Sequence, residues 1–215
     1  MLKALAAHLP SEIQSQLKRA YFRTQIWRSR FTADEPEYAR LHEWVQPGDV
    51  CIDVGSNVGQ YARRMAELVG PTGMVFAIEP MHETFRVLAS NVGDLANVIL
   101  LNMAASDRSQ DVYMELPRFG SGLNNYYRAS ISAQGTHHVR TIPLDSLELQ
   151  RVALIKIDAE GHDLEVLNGA QRLIQLCRPK LIVEENSGGI IAQWMREHDY
   201  KVIRLPDSCN VVGMP

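Results

Sequence analysis

Apolar and polar positions along this chain change their spacing in a repeating order. In residues 1–45 the spacing is helical: Ile13, Leu17 and Tyr21 fall at i, i+4 and i+8, and Phe22 with Ile26 forms a second row. "QPGDV" then turns the chain into "VCIDVG", the first of several short apolar runs that read as strands. A helix is predicted at about 58–69, with Tyr61, Met65 and Leu68 on one face and Gly70-Pro71 closing it. The strand "MVFAIEP" follows, then a helix carrying Phe85, Leu88 and Val92, then the strand "NVILLNMA". "ALIKIDAEG" and "KLIVEEN" are continuous apolar runs ending in acid, as expected of parallel strands covered on both faces. A helix with Ile190, Ile191 and Trp194 and the strands "YKVIRL" and "NVVGM" end the chain. This alternation predicts an α/β fold with a doubly wound, seven-stranded, mostly parallel sheet and helices on both faces. The expected organisation is one domain, with 1–45 a helical extension and 46–215 the core.

The stretch from about 108 to 150 breaks the rhythm. It holds two irregular strand candidates, "DVYMEL" and "HHVRTIPL", around "PRFGSGLNNYYRAS", rich in Gly, Asn, Ser and Tyr. Long irregular connections in compact domains are usually functional. Residues 118–135, with Tyr126 and Tyr127, are therefore expected to form part of a lid over a substrate. His137 and His138 are adjacent in a strand candidate and should point to opposite faces.

Composition narrows the class without naming it. A hydrophobic content of 46% supports a full core, and a formal net charge of −3 gives no global attraction to nucleic acid. The arm "KRAYFRTQIWRSR" departs locally, carrying Lys18, Arg19, Arg23, Arg28 and Arg30 with no acid. It reads as an amphipathic helix with a packed apolar side and a solvated basic side; an arm that grips RNA is the alternative. Cys51, Cys177 and Cys209 have neither disulfide nor metal spacing, which suggests a reducing cytoplasm. Pro10 interrupts the first apolar run, so no cleavable signal is expected, and no run approaches the roughly 18 residues of a spanning helix.

The chemistry concentrates in "CIDVGSNVGQYARRM". A dinucleotide loop would read G-x-G-x-x-G, but here Asn57 stands between Gly55 and Gly59, and Asp53 precedes them within the strand. A diphosphate gains nothing from that carboxylate, whereas a cofactor with an amino group does. Glu79, twenty residues past Gly59, ends the second strand where an acid can grip both hydroxyls of a ribose. A nucleoside carrying an amino acid fits both acids, and S-adenosylmethionine is such a molecule. The alternative readings are an Asp53 that caps the loop's own amides and a Glu79 that complements a helix dipole.

The loop D-x-G-x-x-x-G with the acid of the second strand resembles the class I methyltransferase pattern. "LIKIDAEGHDLEVLNGAQRLI" followed by "RPKLIVEEN" resembles the I-K-I-D-x-E-G-x-E-x-x-V-L-x-G block of the FkbM family, as do "NMAASD" and "VRTIPLDSL". The resemblance runs over about residues 46–186, with Asp163 where glutamate is commoner and Ser56 where alanine often stands. It implies an S-adenosylmethionine-dependent methyltransferase acting on a hydroxyl of a sugar or other small molecule. The cofactor candidates are Asp53, Gly55, Ser56, Asn57, Gly59, Glu79, Ser106, Asp107 and Asp158, with Ser106 and Asp107 beside the adenine or merely opening a turn.

Asp158, Glu160 and His162 are the catalytic candidates. Two crowded carboxylates favour one raised pKa, which suits a general base. Alternatively Asp158 holds the amino group of the cofactor and Glu160 caps the helix that starts near His162. The expected catalysis is metal-free. Asp158, Glu185 and Asn186 form the alternative oxygen set for Mg²⁺. An RNA-directed enzyme and a cofactor-binding module without catalysis are the rival functions.

Overall fold

The computed structural model of the chain describes residues 11–117, 129–185 and 188–215. The apolar runs become β1 (Val50–Val54), β2 (Met74–Ile78), β3 (Val98–Leu101), β8 (Leu154–Ile157), β9 (Lys180–Glu184), β10 (Lys201–Ile203) and β11 (Asn210–Met214). They form one sheet in the order β10-β11-β9-β8-β1-β2-β3. β1 pairs in parallel with β2 and β8, β2 with β3 and β8 with β9, while β11 runs antiparallel to β9 and β10. The predicted seven-stranded, mostly parallel sheet is what forms.

Strand alternation divides the core into two layers. Val50, Ile52 and Val54 of β1 face the layer that includes α5 (Asp163–Asn168), α6 (Gln171–Cys177) and α7 (Ile190–Glu197). Cys51 and Leu154 face the other, with α2 (Pro36–Trp44), α3 (Gln60–Val69) and α4 (His82–Val92). Asp53 and Lys156 are register partners in β1 and β8, and by the same alternation both lie on the α2–α3 side. Burial on both faces explains why these strands read as unbroken apolar runs, and makes each polar residue among them conspicuous.

The helical arm packs in a way its periodicity did not decide. α1 (Ser11–Trp27) lies against α4, and its Phe22 and Ile26 join Phe31, Val58 and Val87 in a small core. Ile13, Leu17 and Tyr21, the more regular row, stay exposed. Nine residues separate Ile13 from Phe22, or about two and a half turns, so the two rows occupy opposite sides of the helix.

Both strand candidates of the stretch 108–150 form strands among the described residues. β4 (Ala104–Ala105), β5 (Asp111–Glu115), β6 (Ser130–Ile131) and β7 (His137–Ile142) form a second sheet ordered β4-β7-β5-β6. His138 pairs with Asp111 at 3.2 Å and His137 contacts Thr136 at 3.3 Å, each on its own side of β7. Tyr126 and Tyr127, the expected lid tyrosines, lie outside the described residues.

Gly169 ends α5 and lets the chain restart as α6, against the backbone of the segment after β4. A β-carbon there would sit 1.9 Å from the Ser106 carbonyl oxygen, so one backbone segment must move. Gly169→Ala is expected to destabilise the fold by about 1–3 kcal/mol or more, the scale of forced overpacking. Urea denaturation checks this, and an unchanged midpoint would show that the contact relaxes freely.

Candidate active site

From β1 the chain winds outward through β2 and β3, then returns to place β8 on the opposite side of β1. Strand order thus reverses between β1 and β8, where open α/β sheets bind ligands beyond their carboxyl ends. A cleft of about 170 Å³ opens there. Gly55 and Asn57 form one wall, Glu79 to Met81 a second, and Asp158 to Glu160 with His162 a third. Ala104, Ala105, Met114, Ala129 and Ile131 from the second sheet make an apolar side.

The glycine loop passes almost in contact with the end of β8. Gly55 has φ 70°, and a β-carbon on it would lie 1.9 Å from the Asp158 carbonyl oxygen. Glycine is required both by conformation and by space. The amides of Gly55 and Ser56 donate to the Ile78 carbonyl at 3.0 Å each, and the Ser56 hydroxyl donates to the Asp53 carbonyl at 2.7 Å. Asn57, a non-glycine at φ 49°, donates its amide to Glu79 Oε2 at 3.0 Å, and Met81 donates to Glu79 Oε1 at 2.9 Å. Glu79 therefore holds the loop as well as lining the cleft. Burial raises its pKa to about 7, against the two amides that favour the anion. Gly59 starts α3 at φ 94°, where a β-carbon would meet Leu88 Cδ1 at 2.6 Å.

Beneath the loop lies a residue that the motif reading overlooked. Lys156 is 4% exposed. Its ammonium bonds Asp158 Oδ2 at 3.1 Å and stands 4.9 Å from the centre of the Tyr61 ring. Burial works to lower its pKa, but Asp158 and Asp53 outweigh burial and raise it. Asp53 is fully buried and does not line the cleft; neither of its carboxylate oxygens has a hydrogen-bond partner among the described residues. Burial lifts Asp53 to about 6, with Lys156 pulling the other way. Asp158 is thus bound to a buried cation rather than simply crowded against Glu160. A lysine inside an apolar strand, two residues before an aspartate, was the available signal.

Asp163 builds the turn that carries the other candidates. It accepts from the Ala159 amide at 2.8 Å and the Gly161 amide at 3.2 Å, holding Glu160 on the cleft wall at φ 51°. His162 lines the cleft, with Nε2 2.9 Å from the Ser106 hydroxyl, which also donates to Asp107 at 3.2 Å. Ser106 is buried behind His162 and Asp107 is exposed, so the cleft brings together Gly55, Asn57, Glu79, Asp158, Glu160 and His162 but leaves those two at its margin.

The far end of the cleft comes from distant parts of the sequence. Glu35, from the segment before α2, meets Glu184 of β9 and Cys209 and Asn210 at the start of β11. Asn210 also donates to the buried Glu37 at 3.3 Å, tying the arm to the sheet. No local motif marks Glu35 or Asn210. Glu185 is otherwise engaged: its two oxygens accept from the Gly189 and Ala192 amides at 3.2 and 3.0 Å, capping α7. Of the alternative Mg²⁺ set, Asn186 lies outside the described residues.

Residues 53–202 match the model of the methyltransferase FkbM domain. The chain belongs to this family. Hexuronic acid methyltransferase AglP of Haloferax volcanii is 34% identical over 172 residues, covering 76% of this chain and 67% of that protein. The crystal structure of methyltransferase FkbM from Methylobacillus flagellatus superposes with a TM-score of 0.57 at 16% identity; it covers 99% of this chain, which spans 57% of that one. An rRNA methylase from Streptococcus thermophilus superposes with a TM-score of 0.51 at 8% identity, covering 85% of this chain and 96% of that one, a likeness of fold alone. The family fixes the activity as methyl transfer and the cofactor as S-adenosylmethionine. The site suits that cofactor: Gly55 and Asn57 border the cleft with their backbone, and Glu79 presents a carboxylate there at the end of β2.

The raised pKa of Glu79 has a definite sign. The native apo protein binds a proton that the unfolded chain has released, so its stability should fall as pH rises from the ordinary 4.5 to about 7. Ribose hydroxyls need the ionised acid, so affinity for S-adenosylmethionine should rise up to about tenfold between roughly pH 6 and 8. Glu79→Gln should flatten both profiles and weaken binding by about 1–3 kcal/mol. Calorimetry across this range checks the assignment, and a flat wild-type affinity would remove Glu79 from the ribose.

Lys156→Met leaves Asp53 and Asp158 facing each other without a cation. The expected loss is about 2–4 kcal/mol, below the fully buried range because Asp158 is partly exposed. Adding Asp53→Asn should restore part of it in urea denaturation. Strict additivity of the two losses would mean that Lys156 and Asp53 do not interact.

Proposed function

We propose that the chain is an S-adenosylmethionine-dependent O-methyltransferase whose acceptor is a hydroxyl of a sugar or similar small molecule. The observation that carries the reading is the Asp158–Asp163 turn, which puts Glu160 on the cleft wall in a left-handed conformation opposite the glycine loop. Backbone held in that region by surrounding bonds is characteristic of functional sites. The name of the Haloferax relative, a hexuronic acid methyltransferase, supports a sugar as the acceptor class. RNA is not favoured, because a relative 34% identical to this chain is named for a sugar acid.

Asn57 and Glu79 are assigned to the ribose, and Gly55 to close approach of the cofactor. Asp53 and Asp158 are assigned to its amino-acid end, Asp53 through the floor of the loop. Ser56 and Gly59 shape the loop, while Ser106 and Asp107 act through His162 at the adenine side. When bound, the cofactor supplies an electrophilic methyl group on a cationic sulfur. Of the three catalytic candidates, all of which line the cleft, Glu160 is assigned to take the proton of the acceptor hydroxyl, on the turn that the Asp163 carboxylate braces. The apolar residues of the second sheet exclude water from that end.

Glu35 and Glu184 join Asp158 and Glu160 around the cleft, and no lysine or arginine lines it among the described residues. Such a wall repels a carboxylate and accepts hydrogen bonds from hydroxyls, which supports transfer to a hydroxyl rather than to the acid of a uronic sugar. We further assign the chain to one domain, working without a metal in a reducing cytoplasm, in keeping with its free cysteines. Among the described residues no helix is long and apolar enough to cross a membrane.

Turnover of labelled S-adenosylmethionine with hexose and hexuronic acid glycosides tests the reading. Glu160→Gln should lower kcat by about 10²–10⁴-fold with cofactor affinity little changed. The labelled product should be an ether that survives mild alkali. An alkali-labile ester, or full activity in the variant, would overturn the hydroxyl acceptor or the base respectively.

A further inference from the structure

α1 is apolar on two opposite sides, and the fold uses only one. Phe22 and Ile26 pack on Phe31, Val58 and Val87. On the other side Ile13 is 42% exposed, Leu17 52%, Tyr21 59% and Trp27 82%. At 100° per residue these four fall within an arc of about 120°, the width of an apolar helix face rather than scattered surface residues. Arg23 and Arg28 are exposed beside them. Glu12, the single acid of residues 11–30, is paired with Arg86 at 2.9 Å. Five basic residues thus stand on a short helical arm of a chain whose net charge is −3.

We propose that this face of α1 is a docking surface for an anionic membrane. Apolar side chains around Thr24, with Arg23 at one margin and Arg28 just past the helix end, match the boundary between acyl chains and anionic headgroups, where a surface helix lies in the plane of the bilayer. A second copy is a poorer occupant, because an isologous contact would bring together two arms that each carry five basic residues and a single acid already paired with Arg86. A polyphosphate such as RNA would use the arginines and leave Ile13 and Leu17 in water. Glu35 follows Trp27 by eight residues and lines the cleft, so docking would hold the cleft within about 28 Å of the bilayer surface. The inference does not depend on the identity of the methyl acceptor.

Trp27 is a built-in reporter, since the other two tryptophans, Trp44 and Trp194, are only 5% and 7% exposed. The full chain should co-sediment with vesicles of equimolar phosphatidylcholine and phosphatidylglycerol, and its emission should shift to the blue. Vesicles of phosphatidylcholine alone should bind about tenfold less. Leu17→Ser, Tyr21→Ser and Trp27→Ser together should abolish sedimentation, and so should Arg23→Glu with Arg28→Glu. Both sets should bind S-adenosylmethionine like the wild type, because none of these residues touches the cleft. The proposal fails if the wild type stays in solution with anionic vesicles, or if the apolar triple variant binds them equally well. Sedimentation velocity showing a dimer that the triple variant dissociates would give the face to a second copy. Salt-sensitive RNA binding without a blue shift would give it to nucleic acid.

Discussion

The close approach of the Gly55 backbone to the Asp158 carbonyl is the constraint on which the site depends. Two parallel strands end side by side where the sheet changes direction, and the loop leaving one must pass over the end of the other. With no β-carbon tolerated 1.9 Å from that carbonyl, the loop lies flat enough for a ligand to rest on its backbone. Glu79 then fixes the loop's height by receiving the Asn57 and Met81 amides. The glycine loop, Glu79 and the Asp158–Asp163 turn are in this sense one assembly, since all border the same cleft.

That assembly contains more buried charge than a strand end usually carries. Asp53 and Lys156 share a register position under the loop, and Asp158 closes the group at its edge. Buried ions are costly without partners, so each of these residues makes the others tolerable. The consequence for chemistry is a division of labour. A carboxylate tied to a buried ammonium orients and neutralises, whereas Glu160 stands on a cleft-wall turn braced by Asp163.

The outer parts of the chain complete what the sheet begins. The second sheet gives the cleft its apolar side through Met114, Ala129 and Ile131, and the arm and last strand bring Glu35 and Asn210 to its far end. The arm is bound to the core through Glu37 and through Lys180, which donates to the Trp44 carbonyl at 3.1 Å. α1 itself is held by Phe22 and Ile26 in the small core and by the Glu12–Arg86 pair, so its exposed row is presented on a fixed helix.

Sequence by itself determined the sheet, the glycine loop and the acids that end β2 and β8, because strand periodicity and a glycine-dependent turn are local properties of the backbone. It also determined the family, through a block in which spacing and residue type are set together. Only the tertiary structure decided that Lys156 faces Asp158, since that requires knowing which side of β8 lies under α3. It alone decided that Phe22, not Leu17, packs inward, because two apolar rows on one helix are equivalent until a neighbour covers one. Glu35 and Asn210 were beyond local reading for the same reason: 175 positions separate them, and only the closing of the sheet by β11 brings them to one cleft.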